Sequence, residues 1–109
     1  MTIEENSIVD MMGLNPDTET VILGISDHLD WDQENHLTLF EQKVGSYLDF
    51  IRSGQLVTRM PVAAGKSIRI ELICQFEPTQ HAVRFLEAAK KQLSNDERVE
   101  FEYRVLPPV

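Results

Sequence analysis

From Ser67 to Phe76 every second position is apolar: Ile68, Ile70, Leu72, Cys74 and Phe76 alternate with Arg69, Glu71, Ile73 and Gln75. Successive side chains of a strand point to opposite faces, so this spacing predicts a strand, 67–76, with one buried and one mostly polar face. The buried face must be covered, and two segments are patterned to cover it. Leu37, Phe40, Val44, Tyr47, Leu48 and Ile51 recur at steps of three and four, predicting a helix over 32–53. Asp30 or Asp32 suits its cap and Gly54 its left-handed stop. Gly45 inside this helix costs about 1 kcal/mol relative to alanine, and close packing on the sheet is the expected reason. Ala82, Phe85, Leu86, Ala89 and Leu93 predict a second helix over 79–94, opened by Pro78 and Thr79. Lys90 and Lys91 favour the negative end of its dipole.

The remaining elements are shorter. Val99, Phe101, Tyr103 and Val105 alternate with charged residues, predicting a strand over 99–105 that ends at Pro107 and Pro108. Gln55–Met60 reads as a strand, 55–60, stopped by Pro61. Ile8, Val9, Met11 and Met12, the turn Asn15-Pro16-Asp17, and Val21, Ile22, Leu23 and Ile25 together predict an N-terminal hairpin over 7–27. From Thr20 onward the order is βαββαβ, as in ferredoxin-like units. The expected fold is therefore α+β: a two-layer α/β sandwich of ferredoxin-like order with an extra N-terminal strand. Its core joins Leu37, Phe40, Val44, Leu48, Phe85, Leu86, Ile70, Leu72 and Phe101. At 109 residues and 12.5 kDa, residues 1–109 fit a single domain.

Charge narrows the functional classes. The net charge is −8, and Met1–Gln42 holds ten acids and no lysine or arginine. Nucleic-acid binding needs a basic stripe, and anionic membrane repels such a surface, so neither ligand is expected; a basic protein partner or a cation stays open. No apolar run approaches the roughly 18 residues of a bilayer span. The acidic N-terminus does not read as a secretory signal, and the single cysteine, Cys74, excludes a disulfide framework. A cytoplasmic protein is expected.

The most distinctive segment is Ile25-Ser26-Asp27-His28-Leu29-Asp30-Trp31, continuing through Asp32 and Glu34 to His36. With Val9-Asp10-Met11-Met12-Gly13, and with Tyr47-Leu48 leading to Ser53-Gly54-Gln55-Leu56, it resembles an uncharacterised family of small bacterial proteins carrying a domain of unknown function. Those proteins begin with a V-D-x-x-G hairpin followed by an I-S-D-H-L-D-W stretch. The resemblance implies one domain over most of the chain and carries no activity.

Chemically, Asp27, Asp30, Asp32 and Glu34 offer carboxylates, and His28 and His36 imidazoles. The acids alternate like the start of an EF-hand loop, yet the turn glycine is absent and Thr38 stands where the twelfth-position glutamate belongs. His28 and Asp32 would suit zinc only on a shared helix face. Capping and solvated acids at a helix start explain the run without a metal. Asp27 is the acid best placed to serve local amides. Ser26, Ser46, Ser53 and Ser67 lie in no G-x-S-x-G elbow, and Ala63-Ala64-Gly65-Lys66-Ser67 lacks the first glycine of a phosphate loop. Asp27 and His28, as strand neighbours, point to opposite faces. Cys74 shares the apolar face of its strand and reads as an inert core thiol. Trp31 either packs over the helix entrance or anchors an interface within an acidic rim. On the polar sheet face Arg69 and Glu71 are placed to pair with Glu100, Glu102 and Arg104, while Ile22 and Ile73 suit a homodimer contact.

The expected function is a non-catalytic acidic module that binds a basic protein, an immunity-like role being one instance. Its binding residues would be Asp27, His28, Asp30, Trp31, Asp32 and Glu34. The alternative is a divalent-metal-dependent enzyme or sensor using Asp27, His28, Asp30 and Asp32. No catalytic residue, metal site or cofactor is assigned.

Overall fold

Val21, Leu23 and Ile25 have no exposed surface, and the strand that carries them lies inside the sheet. The computed structural model describes residues 3–4 and 9–107. Among these, β1 (Met11–Asn15), β2 (Thr20–Asp27), β3 (Ser67–Cys74) and β4 (Glu100–Val105) form one sheet in the spatial order β1-β2-β3-β4. β1 and β2 are the antiparallel arms of the expected hairpin. Ser7 and Ile8, where that hairpin was expected to begin, and Pro108 lie outside the described residues. Its turn is set by Asn15, whose Oδ1 accepts the Asp17 N–H at 3.0 Å. β2 pairs with β3, and β3 with β4, in parallel, so the sheet is mixed.

Parallel neighbours require crossovers, and helices supply them: α1 (His36–Arg52) and α2 (Gln55–Arg59) between β2 and β3, and α3 (Gln80–Gln92) between β3 and β4. Both crossovers step in the same direction across the sheet, so a right-handed sense places α1 and α3 on one face. The Phe40 ring of α1 meets Phe85 of α3 at 6.1 Å and Phe101 of β4 at 5.4 Å, both edge-on, closing the core between the layers. The class is α+β, as expected. On the other face Arg69 meets Glu100 at 3.2 Å and Arg104 meets Glu71 at 2.8 Å, the expected cross-strand pairs, with Ile22 and Ile73 partly buried beside them.

β3 ends at Cys74, short of the expected 67–76, and leaves Phe76 exposed rather than on the buried face. Three further expectations need correction. The stretch 55–60 is not a strand: Gln55–Arg59 is the short helix α2, so the ferredoxin-like βαββαβ order is not formed. Gly54 takes a left-handed conformation (φ 84°) that ends α1 and turns the chain into α2, leaving Leu56 as its buried anchor. Second, α1 begins at His36 rather than residue 32, with no side-chain cap. The acids ahead of it fold into turns instead, Asp30 Oδ1 accepting the Asp32 N–H at 2.9 Å and the Asp30 carbonyl accepting the Gln33 N–H at 3.2 Å. Third, the inner face of α1 is His36, Phe40, Lys43, Val44, Tyr47 and Phe50, whereas Leu37, Leu48 and Ile51 are only partly buried. Two polar residues therefore point into the core. α3 behaves as expected: Thr79 caps it, its Oγ1 accepting the Ala82 N–H at 3.2 Å.

Candidate functional site

Two buried polar clusters explain why α1 turns His36 and Lys43 inward. Lys43 Nζ, with no exposed surface, lies 2.7 Å from Asp10 Oδ1, whose side chain is 1% exposed. Asp10 Oδ2 accepts the Ser26 N–H at 2.9 Å, and the Asp10 N–H donates to the Tyr47 hydroxyl at 2.8 Å. That hydroxyl donates in turn to the Gly24 carbonyl at 2.5 Å. The cluster ties the lead into β1, the middle of β2 and the centre of α1 together. Burial drives the Tyr47 phenol above its ordinary range.

The second cluster sits where β2 ends and α1 begins. His36 Nε2 is 2.5 Å from Asp27 Oδ2, both side chains 1% exposed, and His36 Nδ1 is 3.0 Å from the Asp30 carbonyl. A carbonyl only accepts, so Nδ1 carries a proton and donates. Asp27 Oδ1 accepts the Leu29 N–H at 3.1 Å, the local amide service expected of it. Trp31 stacks on the His36 ring at 3.8 Å and 17°, and its indole N–H donates to the Phe76 carbonyl at 2.9 Å. The segment Leu29–Asn35 is thus tied to β2, to α1 and to the exit of β3.

The sequence-predicted residues separate accordingly. Asp27 and Trp31 face inward, Trp31 being 9% exposed with its one donor engaged, so it is a packing residue rather than an exposed anchor. His28, Asp30, Asp32 and Glu34 face outward. His28 Nε2 lies 3.1 Å from Glu4 Oε1. Asp30, Asp32 and Glu34 do not meet Lys43, Arg52 or Arg59: Lys43 is held by Asp10, and Arg52 by Asp49 and Glu97. Asp10, Lys43 and Tyr47 join the site although nothing in their sequence neighbourhood assigns them to it, and His36, named above only as an available imidazole, is central to it. The signal for the three on α1 is their spacing, since His36, Lys43, Tyr47 and Phe50 fall on one helical stripe with Phe40.

This arrangement limits the chemistry. An Asp–His pair can assist a nucleophile, and Cys74 is register partner to Asp27 on β3. Burial, and secondarily the Asp27 charge, push the Cys74 thiol up to about 12, so it stays protonated at neutral pH and is no nucleophile. Among the described residues no three His, Cys, Asp or Glu side chains group closely enough to hold a metal ion, and no buried side-chain polar atom lacks a partner. Nor is any described helix long and apolar enough to cross a membrane.

Comparison with curated proteins gave no match, and comparison with solved structures gave none. A family model does match, over residues 1–107, and the protein therefore belongs to DUF6572, a family of unknown function.

Proposed function

We propose that this protein is a non-catalytic binding module that engages a basic protein partner through the segment from His28 to Glu34. One observation carries the reading: Asp30, Asp32 and Glu34 are exposed, and no lysine or arginine among the described residues pairs with them, on a segment held by the Asp30 carbonyl's contact with His36 and by Trp31's hydrogen bond to Phe76. Charges that serve only solubility need no such fixture, whereas a recognition surface gains from one, because ordering losses on binding are then small. Asp27 and Trp31 contribute from beneath, as positioning residues. An immunity protein that masks a basic toxin is one biological setting that fits.

The test neutralises the three acids together, Asp30→Asn, Asp32→Asn and Glu34→Gln, which keeps the Asp30 side-chain acceptor for the Asp32 amide. Association rates are measured with the basic protein recovered by pull-down. Steered association slows with neutralisation and with added salt, since screening cuts the reach of the acids to roughly 8 Å at physiological ionic strength. An unchanged rate in a correctly folded variant rejects the proposal.

A further inference from the structure

Gly45 is a position in α1 that packing among the described residues does not explain. Glycine is among the poorest residues for a helix interior. Close approach of the sheet, the expected reason, is absent: a Cβ built at Gly45 meets nothing within 4 Å among the described residues. Gly45 instead lines a groove of about 380 Å³ between α1 and α3, open to solvent. The buried side chains of Phe40, Val44 and Leu93 form the groove's floor, and its accessible apolar surface comes from the partly buried Leu48 on one side and Phe85 and Ala89 on the other. Its rim carries the carboxylates of Glu41, Asp96 and Glu97 against one guanidinium, Arg52, which Glu97 already engages.

We propose that the α1–α3 groove docks the apolar face of a basic amphipathic helix from a partner protein. An apolar strip between two helices matches side chains presented at i, i+3, i+4 and i+7 on a third. The missing side chain at Gly45 lets the incoming backbone approach α1 closely, since interaxial distance is set by the residues at the contact. The acidic rim selects basic flanks on the incoming helix. It also disfavours a second copy of this chain, whose net charge is −8. The inference rests on the binding-module reading and adds a surface to it, on a different part of the molecule from the His28–Glu34 segment.

The probe is a synthetic leucine–lysine amphipathic helical peptide, with its leucine–glutamate counterpart as control, titrated by fluorescence anisotropy and mapped by amide NMR shifts. The lysine peptide should bind the wild type and shift amides around Gly45, Leu48, Phe85 and Ala89, while the glutamate peptide should not bind. Gly45→Trp fills the groove from α1 and should weaken binding at least about tenfold. The surface variant Glu41→Lys with Asp96→Lys, which leaves the apolar groove intact, should weaken it likewise. Gly45→Ala should raise Tm by about 4 °C or more while weakening the peptide, separating stability from binding. No binding by the wild type, equal binding of both peptides, or unchanged binding by Gly45→Trp and the rim variant would each overturn the groove. Binding abolished only by neutralising Asp30, Asp32 and Glu34 would also overturn it, leaving the binding-module reading intact. Groove binding alongside an unchanged partner rate in that neutralised variant would uphold the groove and sink the acidic-segment reading.

Discussion

Lys43→Met is the perturbation whose size the structure constrains most closely. Methionine keeps most of the side-chain length but removes the ammonium that sits 2.7 Å from Asp10 Oδ1 at a site with no exposed surface. Asp10 would keep one donor, the Ser26 amide at 2.9 Å, and its charge would be left without a counter-ion in the core. Breaking a buried pair in this way costs about 3–5 kcal/mol, a large part of the 5–15 kcal/mol by which domains are typically stable. With a urea slope near 2 kcal/mol per molar, the unfolding midpoint should fall by roughly 2 M. Trp31, buried and hydrogen-bonded to Phe76, supplies the fluorescence signal. Replacing both partners, Asp10→Asn with Lys43→Met, keeps an acceptor for the Ser26 amide and removes both charges, so it should recover most of the loss. The reasoning fails if Lys43→Met lies within about 1 kcal/mol of wild type, or if the double variant loses the sum of the two single losses, which would mean the charges do not interact.

The Cys74 thiol, raised from its ordinary 9.0 to about 12, ionises in the unfolded chain before it does so in the folded one. Stability should therefore decline as pH rises from 9 to 12, by up to about 1.4 kcal/mol per pH unit. Cys74→Ala should flatten the decline seen in urea unfolding, leaving the part that buried Tyr47 adds above its ordinary 10.0. In the native protein Cys74 should resist a thiol reagent at pH 8 and react on addition of urea; prompt native labelling would contradict its burial. Thr79→Ala removes the acceptor for the Ala82 amide and should cost about 1 kcal/mol in calorimetry, with Thr79→Ser retaining most of it. Gly54→Ala forces a Cβ into a backbone with φ 84° and should lower Tm, with a loss of about 1 kcal/mol; an unchanged Tm would show that the turn into α2 is not so constrained.

β3, α3 and β4 were legible because each repeats its pattern over several turns or pleats, and the burial of Ile70, Leu72, Leu86 and Phe101 follows from that spacing. Gln55–Met60 was not legible. Six residues holding Leu56, Val57 and Thr58 satisfy a strand as well as a helical turn, and the left-handed Gly54 decided between them. The inner face of α1 departs from its hydrophobic spacing, which selects Leu37, Leu48 and Ile51. The fold selects His36 and Lys43, since carboxylates already lie on the β1–β2 side to receive them.

The sequence by itself determined the α+β class, the hairpin, the core faces of β3, α3 and β4, and the exposure of Asp30, Asp32 and Glu34. Those follow from local periodicity and from a stretch that carries no lysine or arginine before Lys43. The tertiary structure alone decided that Asp27 meets His36, that Asp10 meets Lys43, and that α1 and α3 leave a groove beside Gly45. Asp10 and Lys43 are 33 positions apart, so their meeting depends on how α1 lies across the sheet, and no local pattern records that. A lone charge at an apolar position reads as an error until the fold supplies its counter-charge, because the low-dielectric interior makes the pair strong and either member alone costly.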